Sequence, residues 1–223
     1  MNNIIEGKEC FIYGEISSKD IIIQPVNENE FEMLEKEIEL IKNISGRMDF
    51  CFIAILIDDW NYELSPWGNE GVFKGKDFGN GARKTLNFIT GKLLPFVFKN
   101  EINNKRLFLG GYSLSGLFSL WSCYQCDIFY AVAVVSPSVW FPGWTDYIKN
   151  RNIKCKKVYL SLGNKEDKVR NQIMSKVKAN ICIQYELIKN SNRDIDIKME
   201  LNPGNHFADY EKRTGKAFAW LIE

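Results

Sequence analysis

Three residue types that cooperate in nucleophilic acyl chemistry stand far apart in this chain: a serine, Ser113; a carboxylate at Glu166 or Asp167; and His206, the only histidine among 223 residues. A serine hydroxyl at its ordinary pKa is a poor nucleophile and needs a base that titrates near neutrality, a role imidazole fills. A carboxylate can then orient the imidazole and stabilise its charged form. Either acid could do so; Glu166, three residues after Gly163, is preferred over Asp167, which is then a surface charge or a helix cap. Around the serine, Leu107-Phe108-Leu109-Gly110-Gly111-Tyr112-Ser113-Leu114-Ser115-Gly116-Leu117 runs from an apolar stretch through glycines into a helical pattern. A strand that turns sharply into a helix lifts one side chain clear and points helix N–H groups at whatever it attacks. The usual G-x-S-x-G spacing holds at Gly111 and Ser113 but ends in Ser115, one hydroxymethyl larger than the glycine that normally eases close packing of the turn.

The elements that must position these residues follow from periodicity. Cys10–Tyr13 and Ile21–Val26 read as early strands split by the polar turn at 17–20. Phe31, Leu34, Ile38 and Ile41 fall at helical spacing up to Ser45-Gly46. Phe50–Ile57 is apolar without alternation, as in a strand covered on both faces of a parallel sheet. Residues 58–81 read as a long polar and aromatic connection, a binding-loop pattern. A helix follows from Ala82, with Pro95 near its end. Ala131–Val135 and Val158–Leu162 are further buried strands, and Val169, Ile173, Val177, Ile181 and Tyr185 form one helical stripe. Ile195–Leu201 alternates strictly, as a half-exposed edge strand does, and a terminal helix carries Phe218, Trp220 and Leu221. With no repeat or linker, residues 1–223 are expected to form one domain.

Such alternation of strands and helices argues for a mostly parallel sheet with helices on both faces, whose site gathers at the carboxyl ends of the strands. Ser113, the acid and His206 each follow a different strand in the order nucleophile, acid, histidine, which is the chain order of the α/β-hydrolase fold. In that fold the tetrahedral oxygen is held by the N–H after the nucleophile, here Leu114, and by one from the loop after the third strand. Counting the strand before Ser113 as the fifth makes Ile21–Val26 the third, so the second donor is expected at Asn27 or Glu28; Trp60 or Asn61 would serve if the count is off by one. Ile23-Gln24-Pro25-Val26, Asp58-Asp59-Trp60-Asn61 with Leu64-Ser65-Pro66-Trp67, Gly110-Gly111-Tyr112-Ser113-Leu114, Ser136-Pro137-Ser138-Val139-Trp140, Leu160-Ser161-Leu162-Gly163-Asn164-Lys165-Glu166 and Asn202-Pro203-Gly204-Asn205-His206-Phe207 together resemble a compact bacterial group of esterases. That group lies near the esterase D and enterochelin-esterase branch of the α/β hydrolases. The resemblance implies a serine hydrolase acting on esters, with Ser113 and His206 at the family's nucleophile and base and Glu166 at its acid. The expected fold is an α/β-hydrolase with little or no cap; 223 residues leave no room for the N-terminal domain of enterochelin esterases, so siderophore hydrolysis does not come with the fold.

Bulk properties bound the partners. Twenty-nine basic and 28 acidic residues give a net charge of +1, which argues against a nucleic-acid surface and leaves small-molecule or protein partners open. No apolar run reaches the ~20 residues of a membrane span, and the N-terminus lacks a signal-peptide pattern, so a cytoplasmic location is expected. The six cysteines show no framework; Cys123 and Cys126 read as two small residues on one helix rather than metal ligands, and no metal or other cofactor is expected. Trp60, Trp67, Trp140 and Trp144 suggest a pocket roofed by indoles. The expected activity is hydrolysis of small-molecule carboxylic esters through an acyl-enzyme. Acyl transfer or thioester cleavage on the same residues, and binding by a silent site, are the alternatives.

Overall fold

A computed structural model describes residues 1–72, 77–191 and 194–223, and residues 73–76 of the long 58–81 connection lie outside it. Its strands are β1 (Asn2–Ile5), β2 (Lys8–Gly14), β3 (Asp20–Val26), β4 (Phe50–Leu56), β5 (Arg106–Tyr112), β6 (Ala131–Val135), β7 (Lys157–Gly163) and β8 (Asp196–Asn202). They form one sheet in the order β1-β2-β4-β3-β5-β6-β7-β8. The β1–β2 and β2–β4 pairs are antiparallel; from β4 to β8 every pair is parallel. The elbow strand is therefore the fifth, and the strand before Asn27 the third.

Each central strand is predominantly apolar and lacks alternation because both of its faces are covered. Ile22, Phe52, Phe108, Ala133 and Tyr159 face one layer, where α2 (Leu34–Ser45) packs with α9 (Tyr210–Ile222). Ile21, Ile53, Leu109, Val132 and Leu160 face the other. That layer holds α4 (Ala82–Phe88), α5 (Leu94–Phe98), α6 (Ser113–Gln125) and α8 (Val177–Lys189). Short helices α1 (Glu28–Glu32), α3 (Trp60–Leu64) and α7 (Trp144–Ile148) sit in the strand-end loops. The alternating edge strand is β8, paired only through β7 and half exposed along its length.

Several boundaries differ from the periodic reading. The helix expected from Phe31 begins at Glu28 and breaks at Met33, because Asn27 and Glu30 cap each other and fix a separate first turn. The connection at 58–81 contains α3, started by Asp59, whose Oδ1 accepts from the Tyr62 N–H at 3.0 Å. Pro95 stands at the start of α5, after a π-helical turn at Ile89–Leu93 that absorbs its missing N–H. Val169 and Ile173 are exposed and precede α8; Asn171 Oδ1 accepts from the N–H groups of Ile173 and Met174 and holds that stretch in a turn.

Candidate active site

β5 ends at Tyr112, and Ser113 begins α6 with φ +57°, a left-handed conformation costly for a side-chain-bearing residue and found where neighbouring structure enforces it. Leu114 is in the first turn of α6, where N–H groups have no carbonyl four residues back within the helix. A Cβ on Gly111 would lie 2.0 Å from Ser115 Oγ, so glycine is required there once serine occupies position 115. Ser115 is buried and its Oγ donates to the Pro25 carbonyl at 2.7 Å. Pairing of β3 with β5 stops at Ile23, and the hydroxyl takes the place of the missing ladder partner.

His206, in the loop between β8 and α9, bridges the other two. Its Nε2 is 3.1 Å from Ser113 Oγ and its Nδ1 is 2.8 Å from Glu166 Oε2. The carboxylate that meets the imidazole is thus Glu166, at the end of β7; Asp167 Oδ1 is buried without a hydrogen-bond partner. Burial raises the Glu166 carboxyl, but hydrogen bonds from His206, Ser136 Oγ and the Gly163 N–H outweigh it and hold the group below its ordinary range. Ser136 Oγ donates to Glu166 Oε1 at 2.7 Å and Gly163 N at 2.6 Å. A Cβ on Gly163 would come within 2.8 Å of that same oxygen.

Beneath this row lies a residue the sequence did not single out. Arg213 of α9 is buried, and its Nη1 donates to Glu166 Oε1 (3.1 Å), Tyr112 Oη (3.1 Å) and Ser136 Oγ (3.2 Å). Its Nη2 donates to the carbonyls of Pro203 (2.8 Å) and Asn205 (3.0 Å), in the loop that carries His206. Tyr112 Oη in turn donates to the His206 carbonyl at 2.6 Å. Burial pushes the Tyr112 phenol up to about 12, which keeps that donor protonated. Only the terminal-helix position of Arg213 is written in the sequence; no local motif marks it.

The cleft above Ser113 has two chambers that share Trp60, Ser113, His206 and Phe207. One, of about 280 Å³, is mostly apolar, with Val72, Phe78, Leu114, Trp140 and Met174. Ser138 Oγ stands in it 3.4 Å from Ser113 Oγ. The other, of about 340 Å³, is the more polar of the two, with Asn27, Asn29, Glu30, Tyr112 and Tyr210. Trp60 and Trp140 therefore line the cleft. Trp67 and Trp144 do not: Trp144 is fully buried with its Nε1 donating to Gln184, Trp67 Nε1 donates to the Pro142 carbonyl, and their rings stack 6.5 Å apart. Indoles with internal acceptors form the floor of the 140–147 loop instead of a roof.

The expected donor at Asn27 meets a competitor. Its N–H is engaged by Glu30 Oε2 at 3.1 Å, while Asn27 Oδ1 accepts from the Glu30 N–H at 3.0 Å. Glu28, next in the chain, has its N–H in the first turn of α1. Burial pushes the Glu30 carboxyl up to about 8, against the lowering pull of the Asn27 amide.

Residues 58–214 match the model of the family described as "Putative esterase". No curated protein matches this sequence at a significant level. Solved structures share the fold at low identity. An IroE-like serine hydrolase from Shewanella oneidensis aligns with a TM-score of 0.79 at 14% identity, covering 96% of this chain and 75% of that one. The siderophore hydrolase EstA from Aspergillus nidulans gives 0.72 at 18%, covering 96% and 89%. The enterobactin esterase FES from Shigella flexneri gives 0.68 at 14%, covering 99% of this chain and 58% of that one.

Proposed function

The chain belongs to the esterase family whose model spans residues 58–214, the carboxylic-ester hydrolases of α/β-hydrolase fold, and on that premise we propose an acyl-enzyme mechanism run by Ser113, His206 and Glu166. Ser113 Oγ attacks the ester carbonyl as its proton passes to His206 Nε2. The carbonyl oxygen gains the negative charge and is held by the Leu114 N–H together with an N–H of the β3–α1 junction, that of Asn27 or Glu28. Collapse of this intermediate breaks the bond to the alcohol oxygen, which leaves with the proton carried by His206. Water then gives a proton to His206 and attacks the acyl group; the second collapse returns the proton to Ser113 Oγ and releases the carboxylic acid. Glu166 stays ionised throughout and holds the imidazole by Nδ1.

The observation that supports this reading best is the imidazole lying between Ser113 Oγ and Glu166, at 3.1 and 2.8 Å. An activated short-chain aryl ester should be hydrolysed with an initial burst of phenol, one equivalent per enzyme. Ser113→Ala should abolish the burst and reduce turnover at least about a thousandfold. A fluorophosphonate should label Ser113. Turnover that survives the alanine substitution unchanged would sink the mechanism.

A further inference from the structure

The polar chamber beside Ser113 contains one carboxyl group, that of Glu30, and no lysine or arginine among the described residues lines either chamber. Among the described residues only one oxygen of that carboxyl is held by a hydrogen bond, from the Asn27 N–H. The surface beside it is acidic: between residues 28 and 39 the exposed side chains include Glu28, Glu32, Glu35 and Glu39 against the single Lys36. Lys36 Nζ sits 3.3 Å from Glu211, so its charge is already matched. Asp58 adds an exposed carboxylate at the adjoining rim, beside Glu28.

An ester has two arms, and a two-chambered cleft with the nucleophile at the junction suits one arm to each chamber. The apolar chamber takes an uncharged arm by burial of hydrocarbon against Phe78, Trp140 and Met174. In the more polar chamber an anionic arm would meet the Glu30 carboxyl without a compensating cation, whereas an ammonium beside it favours the carboxylate form and is attracted to it. Resting on the hydrolase reading above, we propose that Glu30 makes the chamber of Asn27, Asn29 and Tyr210 a subsite for a cationic group, so that the preferred substrates are esters carrying an ammonium on one arm. The acid-rich α1–α2 surface draws such substrates toward the cleft.

Glu37 on α2 and Glu211 on α9 are the other buried acids near Glu30, and neither lines the chamber. His206 faces the same chamber but acts on every ester alike, so a ratio between matched substrates removes its contribution.

Two pairs of probes isolate the charge on either arm. Acetylthiocholine is compared with S-(3,3-dimethylbutyl) thioacetate, and 4-nitrophenyl 4-(trimethylammonio)butanoate with 4-nitrophenyl 5,5-dimethylhexanoate. At about pH 8.5 and low salt, kcat/KM for the cationic member of one pair should exceed that of its neutral partner by about tenfold or more. Glu30→Gln, which keeps the shape and an acceptor for Asn27, should bring that ratio close to one. Choline should inhibit hydrolysis of the neutral probe competitively in the unaltered protein, a measurement that needs no variant. Ratios at or below one in both pairs, absence of choline inhibition, or an equal loss on both members in Glu30→Gln would each overturn the subsite. Loss of neutral-ester turnover in Ser113→Ala tests the hydrolase reading separately and is independent of these ratios.

Discussion

A buried guanidinium does more here than neutralise a buried acid. Arg213 places one nitrogen on Glu166 and the other on the two carbonyls of the loop that presents His206, so one planar group sets the distance between the acid and the base. Its charge is compensated by Glu166, and its donors by Tyr112, Ser136, Pro203 and Asn205. Removing it leaves a buried carboxylate short of a donor and two carbonyls unpaired, a loss of about 3–5 kcal/mol. Arg213→Met is therefore expected to unfold at a clearly lower temperature. Arg213→Lys keeps the charge and loses the fork, and it separates positioning from bulk stability. It should lower kcat more than it raises KM, because an imidazole held off line by a displaced carboxylate is a poorer base while substrate binding is untouched. A lysine variant that only melts earlier, with kcat unmoved, would reduce Arg213 to a structural ion pair.

The elbow and β3 are joined by a hydroxyl where glycine is usual. Ser115 Oγ closes the gap left when β3–β5 pairing ends at Ile23, and Pro25, whose carbonyl it binds, stands two residues before Asn27. Ser115→Ala should cost about 1–3 kcal/mol by leaving that carbonyl unpaired in a dry interior. The expected result is a melting temperature lower by several degrees, with fluorophosphonate labelling of Ser113 retained. An unchanged melting curve would mean that water or a backbone shift satisfies Pro25. Elements such as β4, β6 and β7 were legible in the sequence because burial on both faces leaves an unbroken apolar run, and β8 because one-sided burial leaves alternation. The strand-end order of Ser113, Glu166 and His206 was legible for the same reason, since each follows such a run. What escaped reading was set by contacts distant in sequence or by short polar caps. β1 carries only a few apolar residues and exists by pairing with β2; α1 and α3 depend on single capping side chains, Asn27 and Asp59; Arg213 acts across the sheet end. Trp67 and Trp144 had the composition of pocket residues, but their indole N–H groups found Pro142 and Gln184 inside. Glu30 reads as one of six glutamates between residues 28 and 39, and nothing local sets it apart from Glu28 or Glu32, which are exposed.

Across the whole molecule these buried acids oppose one another in pH. Both apolar layers share the one sheet, and we propose that residues 1–223 unfold as one unit, so a single melting transition is expected and its midpoint reports all of them. Glu166 has its carboxyl lowered in the folded state; its contribution is present above the unfolded carboxyl value and is lost as pH falls through the lowered one. Glu30 and Glu37 have theirs raised, by burial first and, for Glu37, then by repulsion from Glu30. A group that holds its proton more tightly when folded gives stability that is full below the unfolded value and disappears as pH rises through the folded one. For Glu30 that window runs from about 4.3, the ordinary glutamate value, to about 8. The melting temperature should therefore peak in mildly acidic solution and decline toward about pH 8. Glu30→Gln removes a proton that must otherwise be given up, and mimics the neutral acid. It should melt like the unaltered protein near about pH 5 and higher than it near about pH 8, by an amount on the order of a few kcal/mol at most. The difference between the two curves isolates Glu30 from every other titrating group, and a difference that shrinks with rising pH would show that the carboxyl is ionised in the folded protein from the start. The same proton then links stability to the proposed subsite. A bound ammonium that draws Glu30 into its ionised form should raise the melting temperature more near about pH 8 than near about pH 5, where the carboxyl is held neutral. Choline added to the two melts, with and without Glu30→Gln, reads that linkage directly.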